Sequence, residues 1–197
     1  MQATRPRITR RTDYLPPEFS IESADLSFDL DPAGTLVRAR MQVRADPRAR
    51  STGKGLVLHG EGLELQELVL DGRTLAASQY ELDEESLTLP GVRGEHVLET
   101  LVRIVPQANT ELSGLYVSGG NFCTQCEAEG FRRITFFLDR PDVMTRFSAT
   151  LVADEARWPV LLSNGNRMAS GRLGGGRHWV RYEDPFKKPS YLFALVA

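Results

Sequence analysis

The segment 121–142 concentrates polar side chains between apolar anchors, and two of these side chains stand two positions apart. In an extended chain, residues i and i+2 project to the same face, so Gln125 and Glu127 would point together while Cys126 turns away. Such a pair offers one amide and one carboxylate to a single ligand. A compact cation with several donors, such as an α-ammonium group, suits it. Glu129 would join the same face if the strand stayed regular.

A simpler interpretation of these residues competes with ligand binding. Glu127 precedes Arg132 and Arg133, and a carboxylate on a surface loop can form an ion pair with a nearby arginine. Gln125 would then bond to neighbouring backbone groups. From the local spacing alone, this interpretation is favoured.

The other reactive side chains are predicted to be structural. Cys123 and Cys126 form a C-x-x-C pair, but a structural zinc site needs four ligands, and a thioredoxin-like dithiol needs a strand–helix context. Two reduced thiols are therefore expected. The charges of Asp139 and Arg140 indicate a structural Arg–Asp pair beside a proline. The three histidines are widely separated and are expected at the surface or at the edge of the core: His59, His96 and His178.

The elements that would position these residues are predicted to be strands. Apolar residues alternate with polar ones from Val37 to Val43, the period-two pattern of a strand with one wet face. Asp71-Gly72 is a hairpin dipeptide between two extended segments. Further strands are predicted at 96–105, 147–151, 178–182 and 191–197. Short strands without a sustained helical stripe predict an all-β fold, a sandwich or a curved saddle-like open sheet, mostly antiparallel and with little helix.

Length and composition set the broad class. The 197 residues are 41% hydrophobic and 25% charged, as in a soluble globular protein, and we expect one β domain over residues 14–197 after a flexible basic tail at 1–13. The net charge of −2 gives no field that favours nucleic acid or an anionic membrane. No stretch approaches the roughly 18 apolar residues of a membrane span. A cytoplasmic protein is therefore expected.

The last seven residues form an unbroken apolar run, Tyr-Leu-Phe-Ala-Leu-Val-Ala. Such a run is typical of a strand covered on both faces. A terminal carboxylate beside a core strand is costly to desolvate. We therefore expect a fragment cut from a longer chain, although a final strand that docks at a sheet edge would show the same pattern.

Five ordered segments resemble the amino-terminal domain of bacterial aminopeptidase N, a zinc metallopeptidase of the gluzincin group. The central one is Thr-Gln-Cys-Glu-Ala-Glu-Gly-Phe-Arg-Arg-Ile-Thr, which resembles the part of that domain that lines the pocket for the first substrate residue. The order and spacing hold from about Tyr14 to Ala197. The segments lie at 109–116, 124–135, 138–143, 161–166 and 184–197.

The resemblance implies a role for two residues. The glutamine and first glutamate of the Gln-Cys-Glu segment help to hold the free α-amino group of the peptide in that family, which assigns Gln125 and Glu127 to substrate binding. The family's Gly-Ala-Met-Glu-Asn loop and His-Glu-x-x-His helix do not occur in this sequence. The resemblance thus implies no catalytic residue and no metal ligand here, with zinc bound by a downstream catalytic domain of the same polypeptide and this chain inactive alone. The alternative is a stand-alone β-sandwich module that binds a protein or carbohydrate.

Overall fold

The computed structural model describes residues 10–49 and 53–197. Fifteen strands account for the regular structure there, with 3-10 helices of three residues and no α-helix among the described residues. The strands are β1 (Phe19–Asp29), β2 (Thr35–Ala45), β3 (Leu56–His59), β4 (Glu64–Leu70), β5 (Arg73–Thr74), β6 (Glu81–Leu82), β7 (Ser86–Leu89), β8 (Glu95–Ile104), β9 (Gly114–Ser118), β10 (Asn121–Gln125), β11 (Arg146–Asp154), β12 (Leu162–Ser163), β13 (Asn166–Leu173), β14 (Arg177–Glu183) and β15 (Leu195–Val196).

Eight strands form one large sheet in the order β13-β14-β11-β1-β2-β8-β4-β5. All neighbours in it are antiparallel except β1 and β11, which run parallel with Ser23 opposite Arg146. Two smaller sheets complete the fold, β12-β15-β10-β9 and β3-β7-β6. The predicted all-β fold of mostly antiparallel open sheets is confirmed.

Side-chain alternation places the core on one face of the large sheet. In β2, Val37 and Met41 are fully buried, whereas Arg38 and Arg40 between them are exposed. Arg40 pairs with Glu99 of β8 on this wet face. Burying one face of a twisted sheet needs an opposing layer. Residues of both smaller sheets share one hydrophobic cluster with the large sheet, including Leu58, Leu87, Phe122 and Leu195.

The hairpin predicted at Asp71-Gly72 is present between β4 and β5. Both turn residues have positive φ, 50° at Asp71 and 77° at Gly72, as a two-residue hairpin loop with matching twist requires. The strand predicted at 96–105 is β8, which ends just before Pro106. The strands predicted at 147–151 and 178–182 are the centres of β11 and β14.

The two ends of the chain differ from the predictions in detail. The predicted strand at 191–197, covered on both faces, is wrong: a 3-10 helix spans Ser190–Leu192, and β15 holds two residues. Leu192 and Val196 are exposed while Phe193 and Leu195 are buried, so one face of the run meets the core. Of the predicted basic tail, residues 1–9 lie outside the described residues, and Arg11–Asp13 form a 3-10 helix.

Candidate functional site

Gln125 is the last residue of β10, in the four-stranded sheet. It lies opposite Gly114 of β9, and its side chain is exposed. On the other edge of β10, which faces β15, the side chain of Thr124 forms hydrogen bonds with the neighbouring strand in place of backbone groups. Its Oγ1 donates to the Leu195 carbonyl at 3.0 Å and accepts from the Leu195 amide at 2.8 Å. Gln125 therefore projects from a strand that is held on both edges.

Glu127 lies beyond the end of β10, in a turn rather than in an extended segment. The expectation of a regular strand through this residue is wrong, because the Gly130 amide donates to the Cys126 carbonyl at 2.9 Å and folds the chain back. The peptide bond between Glu127 and Ala128 is cis. Cys126 does point inward, with 3% exposure, while Gln125 and Glu127 are both exposed.

The carboxylates that follow Glu127 in this segment all have partners. Glu129 pairs with Arg132 at 3.2 Å, and Asp142 pairs with Arg140 at 2.7 Å. Asp139 pairs with Arg132 as well. Within residues 10–49 and 53–197, no ion pair engages the Glu127 carboxylate and no side-chain hydrogen bond engages the Gln125 amide. Both groups therefore remain available to a ligand.

The competing interpretation paired Glu127 with Arg132 or Arg133. Arg132 instead contacts Asp139, Glu129 and Glu61, and Arg133 contacts Glu61 at 2.9 Å. No ion pair joins Glu127 to either arginine in the described structure. Both arginines therefore pair with other carboxylates. One of these, Glu61, is distant in sequence and could not be identified from the local spacing.

A buried network anchors the turn that carries Glu127. Asp139 is 2% exposed; its Oδ2 accepts from the backbone amide and the guanidinium Nε of Arg132, both at 3.1 Å. Its Oδ1 accepts from Ser190 Oγ at 2.5 Å. The predicted pair between Asp139 and Arg140 is wrong: both residues form Arg–Asp ion pairs, but Asp139 pairs with Arg132 and Arg140 pairs with Asp142. Ser190 was missed, because no local spacing connects it to Asp139.

Phe131 fixes the same turn from the apolar side. Its ring is fully buried and lies 4.8 Å from Phe137, 5.3 Å from Phe193 and 5.6 Å from Phe147, measured between centroids. Edge-to-face aromatic pairs add stability beyond their buried area. The chain after Glu127 is thus held by both an ionic and an aromatic anchor.

A row of apolar side chains crosses the sheet beside Gln125. Leu162, Val196, Cys123 and Tyr116 lie directly opposite one another on β12, β15, β10 and β9. Directly opposite residues share one face of a sheet, and Gln125 lies on that face two positions after Cys123. Leu162 is 50% exposed and Val196 45%. We call these four residues the apolar row.

All three histidines form hydrogen bonds, and only His59 bonds to a residue of the network that anchors the Glu127 turn. His59 Nδ1 accepts from the Asp139 amide, and burial lowers the pKa of His59. His178 Nε2 contacts the Trp158 carbonyl, and His96 contacts Asp71. Across the described residues, no three His, Cys, Asp or Glu side chains form a group that could hold a metal ion. The residues present do not fit a zinc site.

The two thiols are free and differ in environment. Cys126 is buried, and burial, with a smaller contribution from Asp139, raises its pKa to about 12. Cys123 is half-buried in β10. A thiol with so high a pKa is a poor redox nucleophile. Both thiols are unbridged here, and their structural role stays a prediction. In the described part of the chain, no helix is long and apolar enough to cross a membrane.

Known proteins resemble this chain over most of its length. The aminopeptidase N of Caulobacter vibrioides is 52% identical over 197 residues, 100% of this chain and 22% of that relative. The aminopeptidase N of Escherichia coli is 46% identical over 98% of this chain and 22% of its own length. A crystal structure of Legionella pneumophila aminopeptidase A in complex with aspartic acid has a TM-score of 0.90 at 34% identity, covering 96% of this chain and 22% of that one.

The chain therefore spans about one fifth of these relatives. The sequence profile of one domain family matches residues 20–192, which include every strand from β2 to β14 as well as Gln125, Glu127 and Asp139. On this match, the chain belongs to the Peptidase M1 N-terminal domain family.

Proposed function

We propose that this chain is the amino-terminal substrate-binding domain of a zinc-dependent aminopeptidase that removes amino-terminal residues from peptides. Gln125 and Glu127 help to anchor the free α-amino group of the substrate. Residues 14–197 form this domain, which carries out no hydrolysis alone. The two aminopeptidase N relatives and the aminopeptidase A structure support the reaction class.

One observation carries this proposal: the exposed Glu127 carboxylate has no ion-pair partner among the described residues, whereas Glu129, Asp139 and Asp142 in the same segment are all paired. Arg132 and Arg133, the nearest arginines in sequence, are both committed to other acids. The Glu127 carboxylate and the side-chain carbonyl of Gln125, two residues earlier, can both accept hydrogen bonds from a ligand. A protonated amine is a suitable donor, with three N–H groups and a positive charge.

The energetics suit recognition of a charged amine. Hydrogen bonds to a charged group contribute about 1.5–3 kcal/mol each. Within the described part of the chain, neither the Glu127 carboxylate nor the Gln125 amide has an internal partner that must be given up before a ligand binds. The turn that carries Glu127 is already anchored through Arg132, Asp139 and Phe131, so little ordering entropy is lost when the amine binds. Held at its amino end, a peptide would present its first peptide bond to the catalytic part of the enzyme.

The zinc and its ligands belong to the remainder of the polypeptide in this proposal. The part described here offers no group of side chains that could hold a metal ion. A catalytic zinc needs about three protein ligands and an open position for water. This chain therefore contributes binding and orientation, and the downstream catalytic domain contributes the metal chemistry.

The apolar row suggests where that catalytic domain lies. Leu162 and Val196 are large apolar side chains, about half exposed, on the same sheet face as Gln125. Apolar side chains clustered on one face indicate a protein contact. A catalytic domain seated on this row would come to lie next to Gln125 and Glu127, closing the substrate site between the two domains.

The natural full-length polypeptide tests the proposal through its hydrolysis of L-alanine p-nitroanilide. We expect Glu127→Ala to raise KM by about 10- to 100-fold, the loss of one charged hydrogen bond. Gln125→Ala should act in the same direction. Glu84→Ala is the matched control, because Glu84 is an exposed carboxylate on the turn between β6 and β7 of another sheet.

Two results would contradict the proposal. A full-length polypeptide without aminopeptidase activity would favour a stand-alone interaction module. Unchanged KM and kcat in Glu127→Ala would leave the enzyme class standing and remove the role of this residue. The 197-residue chain by itself should release no p-nitroaniline.

A further inference from the structure

Gly130 lies against the backbone of Gln125 at a distance that leaves no room for a side chain. A Cβ at this position would lie 2.4 Å from the Gln125 carbonyl oxygen and 2.8 Å from Ser113 Oγ. The backbone of Gly130 has φ −85° and ψ −16°, a conformation open to every residue. Glycine is therefore required at position 130 because a side chain would not fit, and not because of the backbone conformation.

A second glycine, Gly114, packs against Gly130 at the same place. Gly114, opposite Gln125 in β9, has φ 76°, and a Cβ there would lie 3.2 Å from the Gly130 carbonyl oxygen. It would also lie 2.7 Å from Arg133 Cβ. The Asn109 side-chain amide donates to the carbonyls of Ser113 and Leu115 and so holds the chain on either side of Gly114.

This close contact joins the two parts of the candidate site. The Gln125 carbonyl oxygen packs closely against Gly130, and Glu127 lies in the turn that the Gly130 amide closes by donating to the Cys126 carbonyl. Any side chain at position 130 must push the turn away from β10. Such a shift changes the distance between the Gln125 amide and the Glu127 carboxylate.

We infer that Gly130 is a positioning residue, which sets the spacing of Gln125 and Glu127 for a single α-ammonium group. The inference rests on the proposed function. An added methyl group at position 130 displaces the pair while every side chain of the site remains. Recognition of the amine is lost, and the rest of the enzyme keeps its geometry.

The test compares two inhibitors of the full-length polypeptide that differ only in the amino group, L-alanine hydroxamate and propionohydroxamate. Gly130→Ala should weaken the first by about tenfold to 100-fold, as a misplacement of the order of 1 Å does. It should leave the inhibition constant of the second within about twofold. Gly174→Ala is the matched control, because Gly174 has no positive φ and nothing within 4 Å of an added Cβ.

The outcomes separate this inference from the proposed function. If the unaltered enzyme prefers the amino inhibitor, and Glu127→Ala abolishes the preference while Gly130→Ala keeps it, the positioning role is wrong and the function stands. If the unaltered enzyme shows no preference, or Glu127→Ala retains it, the proposed function fails. Equal weakening of both inhibitors by Gly130→Ala would assign Gly130 to the general fold and overturn the inference.

A milder variant covers the case in which Gly130→Ala does not fold. Ser113→Ala/Gly130→Ala removes the Ser113 hydroxyl, one of the two nearest atoms to the added methyl group. It should fold and show a smaller loss of preference for the amino inhibitor. Failure of both variants to fold would contradict the inference, because it would give Gly130 a role in folding as a whole.

Discussion

Arg132 donates from its backbone amide and from its guanidinium Nε to one and the same oxygen of Asp139, at 3.1 Å in both cases. The other oxygen of Asp139 accepts from Ser190. The network thus ties the turn after Glu127 to the segment that leads into β15. One buried carboxylate therefore contacts both the turn after Glu127 and the segment before β15.

Replacing Asp139 should destabilise the fold strongly. Asp139→Asn leaves the Arg132 guanidinium without its buried counter-ion, and breaking a buried ion pair costs about 3–5 kcal/mol. Arg132 retains Glu61 and Glu129, so we expect a loss near the lower end of this range. Urea denaturation measures the free energy of unfolding. Glu95→Gln, which breaks the exposed pair with Arg44, is the control and should cost about 0.2–1 kcal/mol; equal losses would contradict the prediction.

His96 should make the stability of the hairpin region depend on pH. Its Nδ1 lies 2.7 Å from Asp71 Oδ2 and its Nε2 lies 2.6 Å from the Arg93 carbonyl oxygen, so both nitrogens face acceptors. The Asp71 carboxylate raises the pKa of His96 in the folded state. A raised histidine pKa gives stability that is complete below the unfolded pKa and is lost as the pH rises through the folded pKa.

The measurement compares wild type with His96→Gln between about pH 5.5 and about pH 8.5, on either side of the unfolded histidine pKa. The free energy of unfolding of wild type relative to the variant should fall by about 0.2–1 kcal/mol as the pH rises. His59, whose pKa is lowered by burial, has the opposite sign but is present in both proteins and cancels. A difference that is flat or rises with pH would refute the assignment.

The two thiols should react at very different rates. With a pKa of about 12, Cys126 has a thiolate fraction about 1,000-fold below that of an ordinary thiol at pH 8. In the folded Cys123→Ser variant, we expect no reaction with Ellman's reagent over minutes and one full equivalent in urea. Cys126→Ser should behave as wild type does when folded. Rapid labelling of folded Cys123→Ser would show that Cys126 is accessible.

Thr124 should control the docking of the final strand. Thr124→Val removes both hydrogen bonds to Leu195 and leaves a buried amide and carbonyl without partners, at a cost of about 1–3 kcal/mol. Amide hydrogen exchange at Leu195 should accelerate accordingly. Thr124→Ser restores the hydroxyl and should return the protection close to wild type. Unchanged exchange in the valine variant would mean that β15 is held by other contacts.

The sequence predicted the strands well where one face is wet. From Val37 to Val43 the alternation of residue types matches the alternation of burial in β2 residue by residue. The run at 191–197 misled the prediction because every residue in it is apolar. Composition alone does not show that Leu192 and Val196 stay exposed while Phe193 and Leu195 enter the core.

The candidate site could be located from the sequence but not built from it. Gln125 and Glu127 are exposed and Cys126 is buried, which matches the predicted alternation, but the predicted strand ends at Gln125 and Glu127 lies in a turn. The turn that begins after β10 brings the backbone of Gly130 against the backbone of Gln125, and no residue pattern in the segment predicts this contact. The partners of Arg132 and Asp139 include Glu61 and Ser190, which are distant in sequence and carry no motif. Such pairs follow from tertiary packing, which local patterns do not encode.

The parallel pairing of β1 with β11 has a consequence for biosynthesis. A nascent chain can pair β1 with β2 as soon as the two strands leave the ribosome, but the opposite edge of β1 waits for residues 146–152. At about 5–20 residues per second, this edge stays open for several seconds. During that interval the exposed edge of β1 carries backbone groups without a strand partner. Pairing with another nascent chain then competes with the native pairing to β11.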